Sequence, residues 1–240
     1  MTKLMTWVEQ NNSTAIYAIL SSVSDAEPVR HYTELDGKNM LHPLYANTAY
    51  AQWYPVMPYL VRLSPKSRFW QWIETTKSDD WGWLFASEST ENELAPYFTS
   101  LTQVIMPDGE RVFFKYWEQV YLSIILNTLH ESTFSLIPSI SSIHLNKENF
   151  EFHPKKNELH KVNTWWQVPE RVINNIEKDD KHPLISNILT QLQENQGDIW
   201  LGFSRDILRN KISIFVENYN GIKEELYSEL CQQLSDDLEL

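Results

Sequence analysis

Short apolar runs separated by polar and turn-forming residues fill the first 130 positions, and they predict strands that alternate with helices. The run AIYAILSSV at 15–23 is too short for a helix and predicts a buried strand. The alternation at 59–63 and the run WGWLFAS at 81–87 predict two more strands. Helices are predicted at 3–10, from 28 to about 35, after a cap at Ser64 and Pro65, and from about 91 to 99. Thr90 and Glu93 have the spacing of a capping box at the start of the last of these helices.

One stretch of the first half combines a turn, several aromatic residues and a strongly apolar helix. Pro107, Asp108 and Gly109 predict a hairpin turn, because proline presets a negative φ, aspartate bonds its own backbone and glycine takes a positive φ. The two hairpin strands are expected in TQVIM and ERVFFKYW. A helix over 118–129 follows with apolar residues on nearly every side, which predicts that it is buried or covered by a partner.

The pattern changes after residue 130, where serine, asparagine and lysine become frequent. This composition predicts a connecting segment over 131–164 with one weak strand pair. From Pro169 onward the apolar positions recur at helical spacing, which predicts helices from Pro183 to about 195, over about 200–219, and over 222–238. The predicted class is α+β: a mixed α/β lobe at 1–130, with a small mixed sheet flanked by helices, and an all-helical lobe at 165–240.

Composition narrows the range of functions. The formal net charge of −12 disfavours a nucleic-acid partner, which requires a basic patch for its phosphates, and it disfavours an anionic membrane surface as well. The single cysteine, Cys231, excludes an internal disulfide and is typical of a reducing compartment, and its acidic neighbours are expected to raise the thiol pKa. The first residues lack an apolar signal core, and no run reaches the about 20 residues of a membrane span. We therefore expect a cytoplasmic protein.

Catalytic and metal-binding patterns are not found in the sequence. It contains no phosphate-binding glycine motif, no HExxH pair and no GxSxG elbow, the nearest candidate being LGFSRD. His153 and His160 are close together, but a metal site would need two further ligands at fixed geometry. The acidic pairs at 79–80 and 179–180 adjoin lysine or turn residues, as is typical of helix ends and loops. The sequence therefore predicts no catalytic residue, no metal and no cofactor.

The tryptophan pair at the start of WGWLFAS has two interpretations. Trp81 and Trp83 lie two positions apart, so their rings are expected on the same face of a strand, with Gly82 on the other. In the structural interpretation, both rings pack in the core and Gly82 allows a helix to approach closely. In the binding interpretation, the two rings form an aromatic platform for a partner.

Two cations interrupt apolar strands in the first half. Arg62 lies within YLVRLS and Lys115 within VFFKYW. A charge in such a strand must reach water, a carboxylate such as Glu118, or a bound partner, because burying it unpaired is costly. Arg62, Lys115 and Glu118 are therefore candidates either for internal ion pairs or for contacts with a partner.

The order of these pieces resembles the conserved domain of effector chaperones, also called adaptors, of the bacterial type VI secretion system. The resemblance covers roughly residues 15–130 and rests on YAILSSV, LYANTAYAQWYPVMPYLVRL, a helix ending in FWQWI, WGWLFAS, and VIMPDGERVFFKYWEQVYLSIIL. The closing motif of the family reads phenylalanine–arginine–phenylalanine–tyrosine–aspartate–proline–arginine. The corresponding positions here are Phe114, Lys115, Tyr116, Trp117, Glu118, Gln119 and Val120. Lysine and glutamate keep two of the charges, whereas the proline and the second arginine are missing.

The resemblance implies a non-enzymatic cytoplasmic adaptor. Such a protein binds and stabilises a secreted toxin, the effector, and loads it onto the valine–glycine repeat spike protein of the secretion machine. The candidates for contact with a partner are then Arg62, Trp81, Trp83, Lys115, Tyr116, Trp117, Glu118, Trp165 and Trp166. The last two lie at the entrance of the helical lobe, where cargo specificity is expected, and core packing is their alternative. The alternative functions are an immunity protein, a structural part of the secretion machine, and an enzyme of unrecognised type.

Overall fold

A six-stranded antiparallel sheet forms the centre of the first part of the protein. A computed structural model describes residues 2–37, 41–137, 139–145, 148–153, 165–179, 181–222 and 225–238. The strands are β1 (Ala15–Leu20), β2 (Leu41–Pro43), β3 (Tyr59–Leu63), β4 (Gly82–Ser87), β5 (Gln103–Ile105), β6 (Arg111–Phe113), β7 (Ile140–His144) and β8 (Asn149–Glu151). The order in the sheet is β2-β3-β1-β4-β7-β8, whereas β5 and β6 form a separate hairpin.

Helices make up much of the remaining described chain. They are α1 (Lys3–Gln10), α2 (Pro28–Asp36), α3 (Phe69–Thr75), α4 (Glu91–Ser100), α5 (Gln119–Leu129), α6 (Glu170–Asp179), α7 (His182–Asn195), α8 (Gly197–Gly202), α9 (Arg205–Asn218) and α10 (Leu226–Leu238). Short 3-10 helices lie at Ala51–Val56 and His130–Ser135. Helix α3 begins later than predicted. Ser64 and Pro65 do not cap it but form a separate turn, in which Ser67 N donates to Ser64 O at 2.9 Å.

One face of the sheet is covered by α1, α2 and α3. Alternate residues of β1, β3 and β4 point to this face, because successive side chains of a strand point to opposite sides. Ala18 lies between Val61 and Leu84 in register, and all three are buried. The helices add apolar side chains to the same core: Leu4, Trp7, Tyr32, Phe69, Trp70 and Ile73. Removal of this apolar surface from water is the main stabilising contribution on this side.

The opposite face of the sheet packs against α4. Tyr17 of β1 stacks on Phe85 of β4 with ring centroids 5.3 Å apart, and Phe85 lies 5.4 Å from Phe98 of α4. The predicted capping box at the start of α4 is confirmed, because Thr90 N donates to Glu93 Oε2 at 2.8 Å. The start of α4 is therefore fixed by its own sequence, and its inner side carries the rings that cover the sheet.

The hairpin predicted around Pro107, Asp108 and Gly109 is confirmed. β5 pairs antiparallel with β6, and Gly109 has the positive φ, 90°, that such a turn requires. β6 ends at Phe113, which is earlier than predicted. Lys115 consequently lies in a turn after the strand and does not interrupt it.

Two strands of the sheet come from 131–164, the stretch predicted as a connecting segment. β7 pairs with β4 and β8 pairs with β7, so the weak strand pair expected there extends the main sheet. Trp7 Nε1 donates to Ser142 Oγ of β7 at 2.6 Å, which links β7 to the core under α1. By internal contacts the chain divides into an N-terminal unit, Met1–Ile173, and a C-terminal unit, Asn174–Leu240. This boundary differs from the expected ones at 130 and 164, because pairing between distant strands decides where the sheet ends.

The C-terminal unit is helical, as expected. α7 packs against α8 and α9, and α10 packs against the same two helices. Its core is aliphatic and consists of Ile185, Ile188, Leu189, Leu192, Ile199, Leu208, Ile212, Val216, Leu230 and Leu234. The single helix expected over about 200–219 is two helices. The break comes at Ser204, whose Oγ caps α9 by accepting from Ile207 N at 3.4 Å.

The α+β class is confirmed. The pairings within the six-stranded sheet, β2 with β3, β3 with β1, β1 with β4, β4 with β7 and β7 with β8, are all antiparallel. The sheet is therefore antiparallel where the sequence predicted a mixed one. Antiparallel neighbours can be joined without the helical crossover that parallel neighbours require.

Candidate protein-binding surface

Six consecutive residues, Ala51–Val56, are exposed although most of them are apolar. They form the short 3-10 helix between β2 and β3. Trp53 has 42% of its surface exposed and Tyr54 has 65%, and Pro55 and Val56 are exposed beside them. Contiguous exposed apolar side chains mark sites of association, because they forfeit the free energy of burial until a partner covers them. This segment is therefore our candidate for a protein-binding site.

Ring contacts hold the exposed segment in place. The centroid of Trp53 lies 5.2 Å from Phe113 and 5.4 Å from Tyr50, and Tyr50 lies 5.5 Å from Phe113. Tyr54 meets Tyr59 of β3 edge-on at 6.4 Å. We call Tyr50, Trp53, Tyr54 and Phe113 the aromatic surface. Tyr50, Trp53 and Phe113 touch one another and Tyr54 packs on Tyr59, so the rings have packing partners within the chain before any partner binds, which lowers the entropy cost of association.

A buried layer of rings lies beneath the aromatic surface. From Phe113 inward, neighbouring centroids lie 5.5 to 6.3 Å apart along a series made of Tyr45, Trp117, Tyr116, Phe98 and Trp83. We call these five residues the aromatic layer, and all of them are buried. Edge-on and offset ring pairs contribute about 0.5–1.5 kcal/mol each beyond the burial of their area. The exposed rings therefore rest on a firmly packed base.

Hydrogen bonds fix the turn that carries Tyr116 and Trp117 to the main sheet. Trp83 Nε1 donates to Tyr116 O at 2.9 Å. The side-chain amide of Gln119, at the first turn of α5, donates to the carbonyl of Gly82. Both bonds are buried, so each is worth more than it would be in water. The start of β4 and the turn after β6 thus form one connected structure.

Three polar atoms of the aromatic layer have no hydrogen-bond partner within the part of the chain that the structure describes: Tyr45 Oη, Tyr116 Oη and Trp117 Nε1. Burial raises the pKa of both tyrosine hydroxyls far above the usual value, so both remain protonated at neutral pH. An unpaired buried hydroxyl costs about 1–3 kcal/mol. These groups therefore weaken the layer, whose stability comes from ring packing.

Trp81, which directly precedes β4, and Trp83, which lies within it, are on opposite faces of the sheet. Trp81 packs against Trp72 of α3 with centroids 6.2 Å apart, whereas Trp83 belongs to the aromatic layer on the opposite side of the sheet. Gly82 causes the difference, because its φ of 130° interrupts the alternation of side chains. A Cβ there would lie 1.9 Å from Ile19 O, so Gly82 allows close approach of a strand and not of a helix. With exposures of 0% and 1%, the two tryptophans are core residues and form no platform.

The predicted cations differ in their surroundings. Lys115 Nζ lies 3.2 Å from Glu118 Oε1, as the sequence suggested, and the lysine side chain is 59% exposed. An exposed pair of this kind contributes about 0–1 kcal/mol. Arg62 is also exposed, and no carboxylate of the described chain lies within ion-pair distance of its guanidinium. Of the motif residues between Lys115 and Glu118, Tyr116 and Trp117 are buried and so present no ring to a partner.

Trp165 and Trp166 belong to the N-terminal unit and not to the entrance of the helical one. Trp165 Nε1 donates to Ser100 Oγ at 3.0 Å at the end of α4. Trp166 is buried 5.4 Å from Phe114, and its carbonyl accepts from Ile105 N at 2.9 Å. Both side chains therefore pack within the N-terminal unit, as the core-packing alternative predicted. Their rings hold the chain after residue 164 against α4 and the hairpin.

A family model described as Domain of unknown function (DUF4123) matches residues 16–135, which is half of the 240 residues. The chain belongs to the DUF4123 family. No curated protein and no solved structure matches it. The matched DUF4123 segment contains the whole aromatic surface and the whole aromatic layer, and it ends before β7.

None of the partner-contact residues predicted from the sequence belongs to the DUF4123 aromatic surface. The residues AQWYPV are broken by a proline and show neither strand alternation nor helical spacing, so the sequence does not predict where their rings lie. That lack of periodicity was itself a usable signal. A run of aromatic residues with no regular spacing has no single face that a helix or strand would bury, so exposed rings are to be expected there more often than in a periodic run. The contact between Phe113 and Trp53 could not be predicted in this way, because it depends on where the hairpin packs.

Within the described ranges, no three His, Cys, Asp or Glu side chains lie close enough to hold a metal ion. None of the helices in those ranges is long and apolar enough to cross a membrane. Of the neighbouring histidines His153 and His160, the second lies outside the described residues. Burial raises the pKa of the Cys231 thiol, which is the expected direction with a different cause.

Proposed function

We propose that this DUF4123 protein is a cytoplasmic adaptor of bacterial type VI secretion, which binds a toxin effector, stabilises it and delivers it to the valine–glycine repeat spike protein. The aromatic surface carries the proposal. It is an exposed, pre-ordered group of large rings inside the family segment, supported by a buried layer of further rings. The ordered motifs that resemble such adaptors support the same function.

The physics of the aromatic surface suits a holding function. Tryptophan and tyrosine give large contact areas at a small entropy cost, and they are enriched among the residues that dominate binding energies. A protein that binds only the folded effector stabilises it by mass action, in proportion to the logarithm of its free concentration over Kd. Chaperoning and delivery can therefore come from one interface without any bond being made or broken.

Co-expression with the toxin encoded beside its gene tests the proposal. We expect a stoichiometric complex in size-exclusion chromatography with light scattering, and a lower yield of folded toxin when this chain is omitted. Separate elution of the two proteins, together with an unchanged toxin yield, would refute the adaptor function. The spike protein is then added to the complex, and a ternary species is expected.

Variants of the aromatic surface locate the interface. The double variant W53A/Y54A should weaken the toxin or the spike complex by about 30-fold or more, as loss of about 2 kcal/mol at an interface centre implies. V23A is the matched control, since Val23 is 49% exposed and lies outside the aromatic surface. If both variants weaken the complex equally, or if neither weakens it, the aromatic surface is not the interface. The melting temperature of each variant is measured alongside.

The same complex separates an adaptor from an immunity protein. An immunity protein must block the toxic domain, whereas an adaptor is expected to leave it active. We expect the toxin's activity to be the same with and without a saturating amount of this chain. Inhibition that follows the binding isotherm would assign the protein to the immunity class.

A further inference from the structure

A cavity of about 550 Å³ lies at the end of the sheet where β1 begins and β3 ends. This volume is within the range of about 300–1,000 Å³ that is typical of ligand sites. We call it the Arg62 cavity, and its wall includes Val8, the loop 12–14, Arg62, Leu63, Pro65, Trp70 and Glu91. It lies wholly within the N-terminal unit, and none of the aromatic surface lines it.

Hydrogen bonds hold the wall of the Arg62 cavity in a fixed shape. Trp70 Nε1 donates to Ser64 O at 2.9 Å, which places the indole against the turn after β3. On the other side, Thr14 N donates to Asn11 O at 3.0 Å, and Asn11 Nδ2 donates to Trp7 O at 2.9 Å. The cavity is therefore preformed, with an apolar wall made by buried Trp70 and Leu63.

Two opposite charges face this cavity without neutralising each other. No described carboxylate lies within ion-pair distance of the Arg62 guanidinium, and no described cation lies within that distance of Glu91. Both charges act on buried Tyr17, which pairs with Arg62 across β1 and β3. Burial, reinforced by Glu91, raises the pKa of Tyr17 to about 12 despite the opposing effect of Arg62. Tyr17 therefore stays neutral, and its hydroxyl donates to Ser89 O at 2.7 Å and does not compete for either charge.

We propose that the Arg62 cavity binds a dipolar segment of a polypeptide, with a carboxylate on the Arg62 guanidinium and an ammonium or guanidinium group on Glu91. The planar fork of a guanidinium matches the two oxygens of a carboxylate, which makes this pairing strong and directional. Glu91 repels a multiply charged anion such as phosphate, so a single negative charge beside a positive one fits best. The apolar wall takes the aliphatic parts of the ligand. A free amino acid carries the same pair of charges and is the other source of this chemistry.

Blocked dipeptides test the site directly by isothermal titration calorimetry. The probe is N-acetyl-glutamyl-lysine amide, which carries one carboxylate and one ammonium. Its controls are N-acetyl-glutaminyl-lysine amide, which lacks the carboxylate, and N-acetyl-glutamyl-norleucine amide, which lacks the ammonium. Free leucine represents the amino-acid source, and inorganic phosphate represents a simple anion. We expect the first probe to bind about three- to fivefold more tightly than either control, because each control lacks one charge and the Arg62 side chain that receives the carboxylate is exposed.

Two variants assign the binding to the named side chains. R62Q should weaken the first probe by about three- to fivefold, and E91Q should abolish its preference over the norleucine control. R111Q is the matched control, since Arg111 is an exposed arginine of β6 away from the cavity. Melting temperatures show that each variant is folded. If free leucine binds, none of the three peptides binds, and R62Q abolishes the leucine binding, the dipolar site is supported and is assigned to free amino acids. Equal binding in R62Q and R111Q, tighter binding of phosphate, or no binding of any probe would overturn the proposal.

Discussion

The aromatic layer and the aromatic surface are built from the same kinds of residue, yet the first packs the core and the second is exposed to solvent. In the layer, Trp83 and Tyr116 are covered on all sides and fill the space between β4 and α4. At the surface, Trp53 and Tyr54 touch rings on one side and water on the other. The difference shows that ring type does not decide the role of an aromatic residue. What decides it is whether an element of the same chain covers the outer side of the ring.

The largest expected effect separates the two regions by stability. W83A should lower the free energy of unfolding by about 3–5 kcal/mol, because it leaves a cavity and removes the donor to Tyr116 O. W53A, which removes the same type of side chain from the surface, should lower it by only about 1–2 kcal/mol, because Trp53 contacts two rings on one side and water on the other. Urea unfolding followed by tryptophan fluorescence measures both. Similar values for the two variants would mean that the layer and the surface are not distinct.

The next effect concerns Gly82, which places Trp81 and Trp83 on opposite faces of the sheet. G82A should destabilise the N-terminal unit by about 3 kcal/mol, since its Cβ would lie 1.9 Å from Ile19 O and the residue has φ of 130°. G109A is the matched control, because Gly109 has a positive φ with no atom near the added Cβ. It should cost only about 1 kcal/mol. Equal losses would attribute the effect to backbone conformation alone and not to the close approach of β1.

The smallest effect has the opposite sign. Y45F removes a buried hydroxyl that has no partner in the described chain, so we expect unchanged stability or a gain of up to about 1 kcal/mol. Y17F is the control, because the Tyr17 hydroxyl donates to Ser89 O at 2.7 Å, and its loss should cost about 1 kcal/mol. Thermal unfolding of the pair measures the contrast. A clear loss of stability in Y45F would show that its hydroxyl is paired.

Local features of the fold could be predicted from the sequence, because their causes lie within a few residues. The capping box at Thr90 and Glu93 and the turn at Pro107, Asp108 and Gly109 are of this kind. The aliphatic stripes of the C-terminal helices also follow directly from spacing. These signals were sufficient for the α+β class and for most of the elements of the N-terminal unit.

Features that depend on distant neighbours could not be predicted. The interrupted alternation at Gly82 depends on β1, which lies more than sixty residues earlier. The place of β7 in the sheet depends on pairing with β4, and its own sequence, ISSIH, is too polar to predict a buried strand. The candidate site follows the same rule. The sequence pointed to Tyr116 and Trp117, which support the surface from below, and missed Trp53 and Tyr54, which reach the solvent.

The pairing of β7 with β4 has a consequence for the boundaries of the molecule. Every residue of β4 is buried, and its outer edge is completed by a strand that begins after the family match ends at residue 135. A chain cut at that point would keep all the recognisable motifs and yet leave an apolar strand with unpaired amides and carbonyls open to the solvent. Such edges recruit strands from other molecules and lead to aggregation. The stretch that identifies the protein is therefore shorter than the stretch that must fold together.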